Sequence, residues 1–248
     1  MFLTAHASAQ QPGGRSHQCD ATAVAAAPGG VVAFAVLDGI GSSDEVARFT
    51  RSAAHRLTRA AVRLRSAEAA VRQISYEIDA DPDRLAMHEP PAACALVALV
   101  VPGEPLQLAW RGDVRAYAIR DDQAEQLTRD HNWRRVLQDK GRPVGEGDRN
   151  HVTSCLGGEN SAHEIEQVCG HPAIEAATVD REELRLVLAT DGAYEPLEDF
   201  GSPLHAYLTG FPAGAAEDFV ETAVSSSRMF RLPHQVDNAT VRVVDLVP

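Results

Sequence analysis

The sequence predicts an α+β fold built from mainly antiparallel sheets. Three observations carry this. The helical segments follow one another instead of alternating with strands. Four short strands run in succession through the middle of the chain. Apolar runs end abruptly in an aspartate followed by a small turn residue, as in VVAFAVLDG and LRLVLATDG. Clustered helices and a strand meander fit layered antiparallel sheets and not a doubly wound parallel sheet.

The elements follow in order. FLTAHASA reads as an opening strand, and QQPGGRS as a turn. DATAVAAA and VVAFAVLD read as a strand pair joined by Pro-Gly-Gly. Ser42 and Glu45 form a capping-box pattern. Val46, Phe49, Ala53, Leu57, Ala60 and Leu64 then recur at helical spacing, one apolar face of a long helix. A second helix is predicted over 66–78, with Ala67, Val71, Ile74 and Ile78 buried; Asp81-Pro82 closes it. ACALVALVV, LQLAW, VRAYAIR and AEQLT read as four strands. NWRRVLQDKG is a short helix closed by Gly141. The polar stretch 142–150 reads as a mobile loop. LRLVLATDG is a strand, AAEDFVETAVSSS a helix and NATVRVVDL the last strand.

Composition narrows the function. The chain has 248 residues, 44% apolar and 23% charged, which suits one large domain over 1–248 with a substantial core. A formal charge of −12 argues against nucleic acid and anionic membranes as partners. No apolar run approaches transmembrane length, and the first residues do not form a secretory signal. Cys19, Cys94, Cys155 and Cys169 have no CxxC spacing, so they read as reduced thiols of a cytoplasmic protein. A monomer is expected.

The aspartates carry the chemistry. Asp38-Gly39 and Asp191-Gly192 end apolar strands, and Asp237-Asn238 opens one. A carboxylate at the mouth of a buried strand is costly unless neutralised. Several converging at one sheet edge would suit hard divalent cations. Taken singly, each could equally be a turn residue or a helix cap.

Taken together and in order, these segments resemble the metal-dependent protein serine/threonine phosphatases of type 2C, the PPM family, in its bacterial form. RSHQCDA keeps an arginine five positions before an aspartate, Arg15 and Asp20. AFAVLDGIG, RGDVRAYAIRDDQAEQLTRDH, LVLATDGAYEPL and DNATVRVVDL are similar to the later motifs. The resemblance implies a four-layer α-β-β-α sandwich, two central antiparallel sheets flanked by antiparallel helix pairs. It implies hydrolysis of phosphoserine and phosphothreonine in proteins, opposing a serine/threonine kinase. It also implies two Mn2+ or Mg2+ ions with a bridging water as nucleophile.

Carried over, Asp38 would bridge both ions with the Gly39 carbonyl beside it. Asp191 and Asp237 would complete the first site. Asp20 would ligate or hold a bound water. Asp130 would help bind a third, weaker ion with Asp191. Arg15 would clamp phosphate, since a guanidinium engages two oxygens at once. His131 could be structural or catalytic, and Gly112-Asp113 reads as strand-turn structure. The flap-like loop near 142–150 is short.

Two departures motivate a rival reading, a weakened or inactive member acting as a binding or sensing module. Cys19 stands where many members have a glutamate ligand, and thiolate suits Mg2+ or Mn2+ poorly. Ile40 stands where eukaryotic members have a histidine. A haloacid-dehalogenase-like phosphatase would need Asp-x-Asp after a strand, which this chain lacks.

Overall fold

The computed structural model describes residues 1–180 and 182–248. Its strands are β1 (Phe2–Gln11), β2 (Ala21–Ala27), β3 (Val31–Ile40), β4 (Ala92–Val100), β5 (Leu106–Arg111), β6 (Arg115–Arg120), β7 (Gln123–Gln126), β8 (Glu175–Val179), β9 (Leu184–Ala189) and β10 (Ala239–Val247). Its helices are α1 (Asp44–Leu64), α2 (Ala67–Asp79), α3 (Pro82–Leu85), α4 (Trp133–Asp139), α5 (Ala162–Cys169), α6 (Asp191–Asp199) and α7 (Pro212–Phe230). Two five-stranded sheets form, in the orders β1-β10-β9-β6-β7 and β2-β3-β4-β5-β8, and every pairing is antiparallel.

Three apolar clusters fill the three interfaces of a four-layer sandwich. β3 and β4 are apolar on both faces, and the pleat deals alternate residues to different cores. Ala33, Ala35 and Leu37, with Ala95, Val97 and Leu99, pack against α1 and α2. Phe34, Val36, Leu96 and Val100 meet Leu186, Leu188 and Val244 between the sheets. Val187, Val241 and Val243 pack outward on Phe219, Val220 and Ala223 of α7.

The expected meander divides between the layers. β5 stays in the sheet of β3 and β4, while β6 crosses to the sheet of β9 and β10. The crossing is made at Gly112-Asp113. Gly112 has φ +123°, and a Cβ there would collide with Cys94 of β4. Alternation shows that a strand is buried but not which sheet takes it, so the sequence predicted the strands and not the split.

Other differences are local. The cap of α1 is Ser43, whose hydroxyl accepts the Val46 N–H at 3.3 Å; the Ser42-Glu45 pattern is one residue early. α6 begins at the strand-end aspartate itself and carries Pro196 inside it. Gly192 and Pro196 read as breakers and hid this helix. α5 and the edge strand β8 were also unforeseen. The stretch 142–150, expected as a mobile loop, holds a 3-10 turn over Glu146–Asn150. Arg149 ties it to Asp199 of α6 with two bonds of 2.7 Å. All four cysteines are free thiols. Among the described residues, no helix is long and apolar enough to cross a membrane.

Leu57 of α1 is fully buried in the outer core against β2–β4. Leu57→Ala is expected to lose about 2–5 kcal/mol of unfolding free energy in urea titration. A loss under about 1 kcal/mol would mean this layer packs loosely.

Candidate metal and phosphate site

The strand ends converge where the two sheets meet. Asp38, the Gly39 backbone, Asp113, Asp191 and Asp237 line one cavity of about 310 Å³, with Arg15, Glu195 and Arg231 also on its wall. Each sheet contributes. Asp38 lies near the end of β3, opposite Cys94 of β4. Asp191 is the first residue of α6, just past β9, and its carboxylate accepts the Gly192 N–H at 2.6 Å. A helix start suits a carboxylate. Asp237 precedes β10 and accepts the Asn238 N–H at 2.8 Å. Asp113 comes from the sheet crossing, and the Tyr194 hydroxyl holds its carbonyl at 3.1 Å.

Close backbone approaches make this convergence possible. A Cβ at Gly39 would strike the Cys19 backbone and Val46, and one at Gly192 would strike the Asn238 carbonyl. Asn238 then laces the N-terminal loop to β10. Its Oδ1 accepts the Cys19 N–H at 2.8 Å, and its Nδ2 donates to the carbonyls of Pro12 and His17 at 3.0 Å.

Asp20 lies behind the cavity and does not line it. It is 3% exposed, and its Oδ2 accepts the hydroxyls of Thr240 at 2.7 Å and Thr190 at 3.0 Å. Arg15 reaches the cavity, where its Nη2 donates to Asp237 Oδ2 at 2.7 Å. Cys19 is fully buried, packs with Val46 and Ala47, and donates weakly to the Ser43 carbonyl at 3.6 Å. Burial raises its pKa, so it stays a thiol.

Asp130 is not brought to the cavity. Arg115 holds both its oxygens, Nε to Oδ1 at 2.9 Å and Nη2 to Oδ2 at 2.7 Å, and the pair faces a separate pocket with Gln126 and Asn132. The residue that shares the cavity with Asp191 is Asp113, expected as strand-turn structure. Its signal was the Gly-Asp-x-Arg string itself: the glycine permits the crossing and the arginine occupies Asp130. His131 is structural. Its Nδ1 accepts the Gly112 N–H at 3.1 Å, its Nε2 meets Glu175 at 3.0 Å, and its backbone N–H donates to the Gly112 carbonyl. It thereby braces the crossing.

The carboxylates destabilise one another. Burial first, then the charge of Asp191, pushes Asp113 up to about 7. Burial also lifts Asp20 to about 7, against the two threonine hydroxyls. Asp38 is driven well above the ordinary carboxylate range by burial and by Asp191, Asp20 and Asp113. Asp191 is raised by burial and Asp237, while a hydrogen bond with Asp38 works the other way. Burial and Asp191 push Glu195 up to about 8.

These residues fit divalent cations. The donors are hard oxygens, and Asp113 Oδ1 is buried with no hydrogen-bond partner. Among the described residues, no group of three or more His, Cys, Asp and Glu side chains is drawn into a ready metal cage. The carboxylates share a cavity and not yet a common point. Asp237 is turned to Arg15, and Asp38 to Asp191.

A family model for protein phosphatase 2C matches residues 14–137, half of the chain. The chain belongs to the protein phosphatase 2C family. It is similar to the serine/threonine protein phosphatase PstP of Mycobacterium tuberculosis, 29% identical over 175 residues, 70% of this chain and 30% of PstP. The chain thus spans about 30% of the length of that curated relative. Among solved structures, it resembles the Streptococcus agalactiae (S. agalactiae) serine/threonine phosphatase with a TM-score of 0.77 at 18% identity, covering 98% of this chain and 99% of that one. It resembles the PPM phosphatase MsPP of Mycobacterium smegmatis, solved with cacodylate, at 0.73 and 23%, covering 99% and 100%. The PstP catalytic domain, solved with two manganese ions, gives 0.67 and 23%, covering 98% of each chain. The shared architecture is the two-sheet sandwich of the phosphatase 2C fold.

The raised carboxyls make stability depend on pH in a definite direction. Asp20 and Asp113 keep protons in the folded state that the unfolded chain releases near 3.8. Their destabilisation is absent below that value and complete above about 7. In EDTA, the melting temperature of this phosphatase 2C chain is therefore expected to fall between about pH 4 and pH 8. Saturating Mn2+ is expected to raise it, more at the alkaline end. A flat profile that Mn2+ leaves unmoved would remove the cation reading.

Proposed function

We propose that this phosphatase 2C family chain is a metal-dependent serine/threonine protein phosphatase. One observation carries the reading: four aspartates, one of them with an unpartnered buried oxygen, share a single cavity with two arginines. Acid clusters hold cations, and arginines hold phosphate. The names of the relatives agree, and the PstP catalytic domain holds two manganese ions. The expected substrates are phosphoproteins made by a serine/threonine kinase.

Asp38, the Gly39 carbonyl, Asp191 and Asp237 would hold two Mn2+ or Mg2+ ions. Bound there, two cations offset the clustered charge and supply hydroxide near neutral pH. Asp20, held by Thr190 and Thr240, would orient water from behind. Arg15 pairs with Asp237 at 2.7 Å. Turned from Asp237, the Arg15 guanidinium would hold two phosphate oxygens. A weaker third ion would meet Asp113 and Asp191, since Arg115 occupies Asp130.

Cys19 supports a second reading, a member with a weakened second site that binds or senses a partner. Its thiol is buried under the first turn of α1 and offers nothing to the cavity.

The expected result is hydrolysis of p-nitrophenyl phosphate and of a phosphothreonine peptide with Mn2+, abolished by EDTA. Asp38→Ala and Asp191→Ala are each expected to lower kcat/KM on the order of 100-fold or more, since even outer-shell changes at metal sites cost 10–100-fold. Native turnover no higher than that of these variants would defeat the enzyme reading. Cys19→Glu separates the two readings: a large gain marks a natively weakened site, and no change marks a tolerated thiol.

A further inference from the structure

A larger groove, about 780 Å³, adjoins the carboxylate cavity. One wall is the 142–150 segment, with Val144 and Arg149. The other is α6 and the end of α7, with Phe200, Phe230 and Arg231, and Arg134 of α4 also lines it. Arg231 lines both spaces, so the groove and the cavity are neighbours. The cavity has the volume of a single small ligand. A polypeptide delivering a phosphorylated side chain needs a second surface for its neighbours.

The groove has the chemistry of such a surface. Phe200 and Phe230 pair edge to face at 4.7 Å, yet stand 42% and 72% exposed. Met229 and Leu232, which flank Phe230 and Arg231 in sequence, are also exposed, at 70% and 59%. Aromatic surface left in water beside a polar rim marks an interaction site. The cations of the groove are not equivalent. Arg149 is committed to Asp199 and Glu195, and Arg231 leans on Glu195 at 3.9 Å. Arg134 is exposed and has no hydrogen-bond or ion-pair partner among the described residues; it only acts through space on Asp199. In a chain of net charge −12, an anionic segment is drawn only where positive charge is locally free.

We propose that this groove docks the substrate polypeptide beside its phosphorylated residue. An aliphatic or aromatic side chain lies against Phe200 and Phe230, and an acidic side chain meets Arg134. This rests on the phosphatase reading above and narrows its substrate class to segments with an apolar and an acidic neighbour.

The test uses fluorescent phosphothreonine peptides that carry Leu and Glu on either side of the phosphoresidue, against matched peptides with Ser and Lys. Affinity is read by anisotropy and turnover by phosphate release, with p-nitrophenyl phosphate as the small substrate. The native chain is expected to prefer the Leu/Glu peptides through KM. Phe230→Ala and Arg134→Glu are each expected to lower the ratio of peptide to p-nitrophenyl phosphate kcat/KM about tenfold, the size of an interface anchor. Ratios within about twofold of native in both variants, or equal use of both peptide sets, overturn the proposal. If no substrate is turned over, the phosphatase reading fails and anisotropy alone decides the docking: weaker binding by both variants supports the groove, and unchanged binding overturns it. A dimer in sedimentation that dissolves in Phe230→Ala assigns the patch to a second copy of the chain and also overturns it.

Discussion

Like charges gathered in a poorly solvated pocket repel strongly, and the architecture of this chain is arranged around tolerating that repulsion. Two sheets stack face to face with the mouths of β3, β9 and β10 side by side, and each delivers acid to the junction. Protons, one arginine, two threonine hydroxyls and the start of α6 each absorb part of the strain. The raised pKa values of Asp20, Asp38, Asp113 and Asp191 record what is left over. Divalent ions would neutralise that remainder in one step, so the same feature that weakens the fold prepares it for cations.

The scaffold behind the acids is neutral or already paired. Asp20 is fixed by Thr190 and Thr240, Asn238 fastens the loop bearing Arg15 and Cys19, and His131 grips both backbone groups of Gly112. Arg115 is fully spent on Asp130 and Glu198 and lies 4.0 Å above the Tyr194 ring. A carboxylate clasped on both oxygens by a guanidinium is a strut, whatever its position in a motif.

Much of this was legible from the residues. Asp38 and Asp191 are conspicuous because each ends a largely apolar run, and Asp237 because it opens one. Helix clustering marked the antiparallel layers, and the recurring apolar face of α1 was plain in its spacing. Other features left no such mark. Asp113 follows a short strand through Arg-Gly, which reads as a turn, and only the collapse of Gly112 onto Cys94 shows that the chain changes sheets there. α6 was masked by its own glycine and proline. The work of Asn238 and Thr190 depends on partners 219 and 170 residues away, at Cys19 and Asp20, a relation that local pattern does not encode.

The split of the acids between layers has a mechanical corollary. Asp38 rides on one sheet, Asp191 and Asp237 on the other, and Asp113 on the short turn by which the chain passes from β5 to β6 between them. The gap separating these oxygens is therefore set by the thickness of the filling that includes Phe34, Leu96 and Leu188. Buried side chains without a polar atom among them act as shims, and a change in their bulk would alter the bite of the pocket on its ions with every acid left intact.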